Sequence, residues 1–247
     1  MYNKEYYNGY IGENGYIQGY KKRKFLYNSY KKKVRKYLKG NVIDLGCGVG
    51  YMSLSLQEET RITSVVGIDI SKDAIKIAKN NIHSEKVQFR YGCAYDIDQP
   101  DKTTDLIFAL DIIEHLEKPE NFLREATRVL KDRGALVIST PNPDSFGSRM
   151  KRNSKDGLIW FGDKDKTHVS IKNINDWRLI FKHANFKIID DGTDYLWDTP
   201  YFIRLKSLQK LVFNGSHHFL ARINILCSWA YGENYIAILE KQNNKND

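Results

Sequence analysis

Short apolar runs alternate with amphipathic stretches along this 247-residue chain. The runs are rich in branched and aromatic side chains, which is typical of buried strands. The stretch after Ser71 instead places apolar residues at helical spacing, and serine is a good helix N-cap. Strands that alternate with helices predict an α/β fold built on a parallel sheet. The predicted strands cover residues 41–45, 65–69, 87–91, 105–110, 186–190 and 235–240, with a further strand ending near residue 140.

The first apolar run leads directly into a glycine-rich turn. Gly46, Gly48 and Gly50 occupy every second position there, and glycine can adopt positive φ and let a ligand approach the main chain closely. The helix predicted from about residue 51 would point its free N-terminal amides at the same place. The second run ends on Asp69, whose carboxylate can accept hydrogen bonds from the two hydroxyls of a ribose. Together these features predict a nucleoside pocket.

The glycine spacing and a nearby acid indicate which nucleoside cofactor fits. Dinucleotide folds carry G-x-G-x-x-G, whereas this turn reads G-x-G-x-G with Asp44 two residues ahead of it. The Asp44 carboxylate would repel a pyrophosphate, while the sulfonium and amino groups of S-adenosylmethionine are cationic. At these residues the sequence resembles the class I S-adenosylmethionine-dependent methyltransferases. A tight strand-to-helix turn that binds no ligand is the alternative.

The resemblance continues in order through the run that ends at Asn142, and is greatest for the subgroup that methylates small molecules such as quinone precursors, sugars and antibiotic intermediates. It implies a Rossmann-like class I methyltransferase fold: a seven-stranded, mostly parallel sheet with an antiparallel last strand and helices on both faces. Cys93 departs from the pattern, since many relatives carry an aspartate there. The cofactor contacts predicted from the turn and the resemblance are Asp44, Gly46, Gly48, Gly50, Asp69, Ile70, Ala94, Tyr95, Asp96 and Leu110.

Two histidines are candidates for a general base. In an open α/β sheet, ligands bind beyond the carboxyl ends of the strands. This rule selects His115, after the fourth strand, and His168, in the long segment after the fifth. The predicted acceptor contacts are Asp111, Trp160 and His168. For each histidine a structural role in its loop is the alternative, because positioning alone can supply much of the rate of methyl transfer.

The N-terminal residues predict a lid. Nine of the 16 tyrosines fall in the first 37 residues, with glycines between them. Flexible glycines between large rings suit a segment that closes over a cofactor and excludes water. Tyr16, Tyr20 and Arg23 are the predicted contacts at the methionine end of the cofactor. We assign the lid and the following basic helix to residues 1–40 and the methyltransferase domain to residues 41–247; tyrosines that merely pack on the surface are the alternative.

The net charge of +9 is concentrated in one segment. Residues 21–39 hold ten Lys or Arg and no acid, so the rest of the chain has 29 basic against 30 acidic residues. Leu26, Tyr30 and Val34 recur there at helical spacing, which predicts an amphipathic helix with Gly40 as its C-cap. The charges of this helix either are simply solvated or attract an anionic substrate, a nucleic acid or a membrane surface.

The composition argues against several classes of protein. Three cysteines without C-x-x-C spacing indicate neither a disulfide framework nor a zinc site, and we expect no metal. No apolar stretch approaches the roughly 18 residues of a membrane span, and residues 1–7 lack the apolar core of a signal peptide. We therefore expect a cytoplasmic protein with one α/β core.

Two segments are longer than a minimal methyltransferase requires. They are insertions at about residues 141–170 and 192–233, and the second places many apolar residues at helical spacing. Extra helices packed on the domain are the simplest interpretation of the second insertion. A homodimer interface, an acceptor pocket and peripheral contact with a membrane are the alternatives.

The predicted activity is methylation of a small-molecule acceptor by S-adenosylmethionine, which leaves S-adenosylhomocysteine. Direct in-line transfer to a hydroxyl of a sugar, phenol or secondary-metabolite intermediate is favoured. We expect no nucleic-acid acceptor, because residues 111–114 read Asp-Ile-Ile-Glu, where nucleic-acid amino methyltransferases carry an acid or Asn before Pro-Pro-aromatic. A protein or RNA methyltransferase and a non-catalytic S-adenosylmethionine-binding protein are the alternatives.

Overall fold

Seven strands form one mixed sheet in the computed structural model, which describes residues 5, 7, 11, 15–155, 157–222 and 230–243. The strands are β1 Gly40–Leu45, β2 Ile62–Asp69, β3 Val87–Tyr91, β4 Thr104–Leu110, β5 Leu130–Pro141, β6 Phe186–Thr193 and β7 Asn234–Lys241. Their order in the sheet is β3-β2-β1-β4-β5-β7-β6. β7 runs antiparallel to β5 and β6, and the other neighbouring pairs are parallel. The predicted sheet, including its antiparallel last strand, is confirmed.

Helices cover both faces of this sheet. Alternate strand residues point to opposite faces, so Val42 and Phe108 join one hydrophobic cluster while Ile43 and Ile107 join the other. None of the described helices is both long and apolar enough to cross a membrane. The helices are α1 Tyr16–Lys33, α2 Tyr51–Leu56, α3 Lys72–Asn81, α4 Pro119–Val129, α5 Phe146–Arg152, α6 Phe161–Lys164, α7 Ile174–His183, α8 Lys206–Gln209 and α9 Gly215–Arg222. The first hydrophobic cluster, which contains Val42, packs against α1, α2 and α3. The second, which contains Ile43, packs against α4 and α7.

The basic helix ends earlier than predicted. α1 stops at Lys33, and the predicted C-cap Gly40 is instead the first residue of β1, with φ 63°. Between them Val34 is fully buried and the Tyr37 hydroxyl donates a hydrogen bond to Glu240 of β7, so tertiary packing draws the chain toward the sheet. An added Cβ at Gly40 would lie 2.2 Å from Oδ2 of Asp105, so glycine is required there for close approach and not for capping. The predicted apolar face of the helix does pack in the core.

The two insertions pack against each other through buried polar groups. Glu233 is fully buried and accepts hydrogen bonds from the Tyr201 hydroxyl at 2.8 Å and from Trp160 Nε1 at 3.2 Å. Lys151 and Asp198 form a salt bridge of 2.7 Å in which both side chains are buried. Because these groups are partnered, burial does not leave unpaired charge at the contact. The helical interpretation of the second insertion is confirmed: α8, a π-helical turn at Lys210–Asn214 and α9 follow one another within it.

Candidate active site

The glycine turn after β1 has the backbone conformation predicted for it. Gly46, Gly48 and Gly50 have φ values of 69°, 52° and 85°, a region that other L-residues enter only at an energetic cost. The amide of Gly46 donates to the carbonyl of Ile68 at 2.7 Å, which joins the turn to the end of β2. The turn is therefore fixed by the sheet itself.

The three glycines differ in what surrounds them. An added Cβ at Gly46 would lie 2.2 Å from Cγ2 of Ile112, in the loop after β4, and one at Gly50 would lie 2.9 Å from two core side chains. At Gly48 the nearest atom would be a ring carbon of Tyr7, at 3.7 Å. Gly46 and Gly50 thus permit close packing, while a side chain at Gly48 would make only ordinary van der Waals contact with Tyr7. Tyr7 belongs to the predicted lid, of which Tyr2, Tyr6 and Tyr10 lie outside the described residues.

Asp69 lies beside Gly48 at the end of β2. Its Oδ2 accepts from the Gly48 amide at 2.8 Å, and its Oδ1 accepts from the Ser71 amide at 2.7 Å. Burial raises the pKa of Asp69, and the two amide donors oppose that shift. A carboxylate offers about four lone-pair positions, so two remain to accept from ribose hydroxyls. Ile70 follows with 59% of its surface exposed, which provides an apolar surface next to this position.

Asp44 is enclosed beneath the turn. Its Oδ2 accepts from the Ser53 amide at 2.9 Å and from the Ser53 hydroxyl at 2.6 Å, which ties β1 to α2. Burial raises the pKa of Asp44 to about 6, although the two Ser53 donors lower it. This geometry gives Asp44 a structural role, and its predicted action on the cofactor cation stays a prediction.

The turn after β3 carries three of the predicted cofactor contacts, Ala94, Tyr95 and Asp96. The amide of Asp96 donates to the carbonyl of Cys93 at 3.2 Å, and Tyr95 and Asp96 are exposed. The Lys118 amide donates to the Tyr95 hydroxyl at 3.1 Å, which joins this turn to the loop before α4. Ala94 packs on the second hydrophobic cluster. The Asp96 carboxylate is therefore open to solvent at the same carboxyl edge of the sheet as Asp69.

Tyr16 places the start of α1 on the glycine turn. Its hydroxyl donates to the carbonyl of Val49 at 2.7 Å. The Tyr51 hydroxyl donates to the Tyr16 carbonyl at 3.0 Å, and the two ring centroids lie 4.8 Å apart. This arrangement suits the predicted position of Tyr16 near the methionine end of the cofactor.

Tyr20 and Arg23 lie farther along α1. The Tyr20 hydroxyl is 3.5 Å from Oε1 of Glu58, which follows α2. Arg23 donates to the Gly19 carbonyl at 3.3 Å, and its guanidinium lies 5.8 Å from the ring centroid of Tyr51. Among the three predicted N-terminal contacts the geometry favours Tyr16, and the roles of Tyr20 and Arg23 remain predictions.

Asp111 follows β4 in a conformation that is unusual for its residue type. Its φ is 55°, and its amide donates to the carbonyl of Ser139 at 3.0 Å. Its Oδ1 accepts from the Ser139 hydroxyl at 2.7 Å. The residue is exposed and lies beyond the carboxyl end of β4, where ligands bind in open α/β sheets, and we call this position the predicted cleft. Desolvation by the surrounding protein raises the pKa of Asp111. Leu110 precedes it and packs against the first hydrophobic cluster.

His115 and His168 come together at this cleft, with 4.7 Å between their ring centroids. Nδ1 of His168 lies 2.7 Å from the carbonyl oxygen of Gly162, which can only accept. Nδ1 of His115 lies 2.8 Å from the hydroxyl of Thr167, whose own proton goes to Asp165 at 2.6 Å. These partners assign a proton to Nδ1 in both rings, since each Nδ1 contacts an oxygen that accepts it. Burial lowers the pKa of His115, which favours its neutral form with a basic Nε2.

Glu114 holds the two histidine loops together. Its carbonyl accepts from the amides of Val169 and Ser170 at 2.8 and 2.9 Å. Burial raises the pKa of its carboxyl well above the usual range, and Oε2 has no hydrogen-bond partner among the described residues. One ligand atom from each of Glu114, His115 and His168 lies within 4.8 Å of the others. No local spacing in the sequence marks this cluster, because 53 positions separate His115 from His168.

Trp160 is placed differently from its prediction as an acceptor contact. Its side chain is fully buried, and its indole donates to Glu233 of the second insertion. An added Cβ at Gly162 would lie 2.2 Å from the Trp160 ring, so the indole packs against the residue whose carbonyl holds His168. Trp160 therefore supports the His168 loop from behind and does not line the cleft.

The chain matches a family of methyltransferase domains over residues 17–191. Among curated proteins it is 35% identical over 102 residues to an ajmaline N-methyltransferase of Rauvolfia serpentina, covering 40% of this chain and 35% of that protein. It is 33% identical over 109 residues to a ubiquinone biosynthesis O-methyltransferase of Coxiella burnetii, covering 42% of this chain and 45% of that protein. The chain thus spans less than half the length of these relatives.

A solved structure of similar fold is the PH0226 protein from Pyrococcus horikoshii OT3. It superposes with a TM-score of 0.65 at 23% sequence identity and covers 97% of this chain and 100% of that one. At this level of identity the likeness concerns the fold, which is shared over nearly the whole of both chains.

Proposed function

Since the chain belongs to the methyltransferase-domain family and is a class I S-adenosylmethionine-dependent methyltransferase, we propose that it methylates a hydroxyl oxygen of a small molecule. The observation that carries this proposal is the pair of histidines at the cleft, of which His115 favours a neutral form whose Nε2 can accept a proton. A hydroxyl must lose its proton as it attacks a methyl group, whereas a neutral amine can attack first and lose its proton later.

The residues around the glycine turn fit the cofactor. Gly48 lacks a side chain, so a ligand can approach its backbone closely, and Asp69 retains lone pairs for two ribose hydroxyls. Bound S-adenosylmethionine supplies a methyl group on a sulfonium that is already a good leaving group. The protein therefore has to orient the acceptor oxygen, exclude water and remove one proton.

The histidine pair supplies the proton acceptor. Burial lowers the pKa of His115, as does the neighbouring His168, so His115 is neutral at physiological pH. A general base of this kind contributes about 10² to 10⁴-fold in rate. Ser139 holds the strained backbone of Asp111 through two hydrogen bonds, one to its amide and one to its carboxylate. Strained residues that are fixed in this way are often found at functional sites. These features support acid–base chemistry beyond the end of β4.

The names of the two curated relatives support a small acceptor but differ in the methylated atom. One is an N-methyltransferase and the other an O-methyltransferase. We favour oxygen because of the basic nitrogen that His115 offers beside His168. A protein or RNA acceptor, and binding of the cofactor without turnover, are the competing possibilities.

An acceptor screen tests the proposal. The full chain is incubated with methyl-tritiated S-adenosylmethionine and, separately, with phenols, free and nucleotide-linked sugars, small amines, total protein and total RNA. The proposal predicts label in a phenol or sugar and none in protein or RNA. Label in an amine, protein or RNA alone would refute it. Calorimetric binding of S-adenosylmethionine, with NAD as the control, separates a protein that binds without turnover from one that is misfolded.

A further inference from the structure

The insertion between β6 and β7 carries an exposed apolar surface. Leu205 and Leu211 are its most open residues, at 71% and 73% exposure. Most of the exposed apolar side chains of this segment line an open groove with a volume of about 650 Å³. Soluble proteins seldom expose contiguous apolar patches without a use for them. We call this surface the insertion face, and its apolar members are Phe202, Ile203, Leu205, Leu208, Leu211 and Val212.

The insertion face is held firmly by a buried side chain. The carboxamide oxygen of Gln209 accepts from the amides of Tyr201 and Phe202 at 2.8 and 3.1 Å. Its nitrogen donates to the Phe202 carbonyl at 3.0 Å. These bonds fix the turn before α8 against the helix, so the exposed apolar side chains project together from a defined backbone.

Cations are interspersed among these apolar side chains. Arg204, Lys206 and Lys210 are exposed on the same segment. Residues 199–232 contain no Asp or Glu, and the neighbouring acid Asp198 is buried in its salt bridge with Lys151. The insertion face is therefore both apolar and positively charged.

The basic helix α1 lies next to this insertion. The ring of Phe25 on α1 packs against the ring of His218 on α9, with 4.4 Å between centroids. Lys22 and Lys32, three residues before and seven after Phe25, are exposed and share its side of the helix. The positive charge of α1 thus adjoins that of the insertion.

The insertion face also lies at the carboxyl edge of the sheet, where the cleft opens. β6 is parallel to the first five strands, so the insertion leaves the sheet at the edge where β4 and β5 end. Asp198 of the insertion accepts from the amide of Phe161 at 2.9 Å, in the segment that leads to His168. A surface that binds the insertion face would therefore lie near the entrance for an acceptor.

We propose that the insertion face binds the surface of an anionic membrane. The apolar side chains would enter the boundary between headgroups and acyl chains, and Arg204, Lys206 and Lys210 would contact lipid phosphates. A second copy of the chain fits less well. In an isologous contact the three cations of one copy would face the same three cations of the other, and the segment offers no acid to pair with them. A nucleic acid would pair with the cations but leave the apolar side chains in water. The inference concerns binding alone and does not depend on the identity of the acceptor.

Co-sedimentation with vesicles tests this proposal on the full chain. Sucrose-loaded vesicles of phosphatidylcholine alone are compared with vesicles that also contain phosphatidylglycerol. We expect binding to the mixed vesicles that weakens with salt. The double variant Leu208→Glu/Leu211→Glu should bind on the order of tenfold more weakly. The control is Leu179→Glu on α7, where the leucine is 56% exposed, and it should bind like the wild type.

Further variants and outcomes make the result decisive. Lys206→Gln/Lys210→Gln should reduce the preference for phosphatidylglycerol, and unchanged melting temperature and S-adenosylmethionine affinity confirm that each variant folds. Failure of the wild type to bind mixed vesicles would overturn the proposal, as would equal binding by the wild type and the Leu208/Leu211 variant. A dimer in light scattering that the same variant dissociates, without vesicle binding, would assign the insertion face to a second copy.

Discussion

The carboxylate of Asp69 accepts a hydrogen bond from the amide of Gly48, with 2.8 Å between Oδ2 and N. This bond joins the end of β2 to the glycine turn after β1, 21 positions earlier in the chain. It fixes the acid and the bare backbone in one orientation before any ligand arrives. The predicted nucleoside pocket would thus be preorganised, which reduces the entropy lost on binding.

Asp69→Ala should weaken S-adenosylmethionine binding by at least about 10 to 100-fold, since even one hydrogen bond to a charged group contributes about 1.5–3 kcal/mol. Isothermal titration calorimetry measures the effect. The matched control is Asp98→Ala, which removes an exposed carboxylate from the loop after β3. Unchanged affinity in a folded Asp69→Ala protein would remove the ribose assignment.

Gly46→Ala should destabilise the fold more than Gly157→Ala. Both glycines have positive φ, of 69° and 68°, so both substitutions incur backbone strain. Only at Gly46 would the new methyl meet a neighbour, Ile112 at 2.2 Å, whereas Gly157 has nothing within 4 Å. We expect a free energy of unfolding about 1–3 kcal/mol lower for Gly46→Ala than for Gly157→Ala, measured by urea denaturation. Equal losses would show that the loop after β4 moves aside without cost.

The pH dependence of turnover should report the environment of His115. Burial lowers the pKa of His115, so the neutral, basic form persists to lower pH than in a free histidine. If His115 takes the proton, kcat rises with pH through a midpoint below about 6.5 and is constant above it. The profile is measured under saturating cofactor and acceptor. A midpoint at or above pH 7 would exclude His115 as the titrating base.

Dialysis against EDTA should leave methyl transfer unchanged. The cluster of Glu114, His115 and His168 has donor types that bind divalent cations. However, His115 already offers a base without a metal, and the high pKa of Glu114 disfavours its anionic form. Activity that falls in EDTA and returns with Mg²⁺, Mn²⁺ or Zn²⁺ would instead make this cluster a metal site.

Much of the fold followed from local patterns in the sequence. Three features depend only on residues that are close in the chain. They are the glycine turn directly after β1, the Ser71 cap of α3 and the position of Asp69 at the end of β2. Ser71 accepts from the Ala74 amide at 3.2 Å, as an N-cap should. Such features are decided by backbone geometry and are therefore predictable from neighbours alone.

The parts that could not be predicted depend on contacts between distant segments. α1 ends at Lys33 because Tyr37 bonds to Glu240, 203 positions away. Trp160 is buried because Glu233, from the other insertion, accepts its indole proton. Neither partner leaves a signal in the local sequence. The histidines were found individually through the rule for the carboxyl ends of strands, but their contact was not.

The central claim is tested most directly by the single-turnover rates of the variants His115→Gln and His168→Gln. The acceptor is the hydroxyl compound found in the screen, and the affinity of each variant for S-adenosylmethionine is measured as well. His83→Gln, which alters an exposed histidine in the loop after α3, is the control. We predict a rate about 10² to 10⁴-fold lower for at least one of the two variants, with wild-type affinity for S-adenosylmethionine. Wild-type rates in both single variants and in the double variant would contradict the account, because the site would then act by positioning alone.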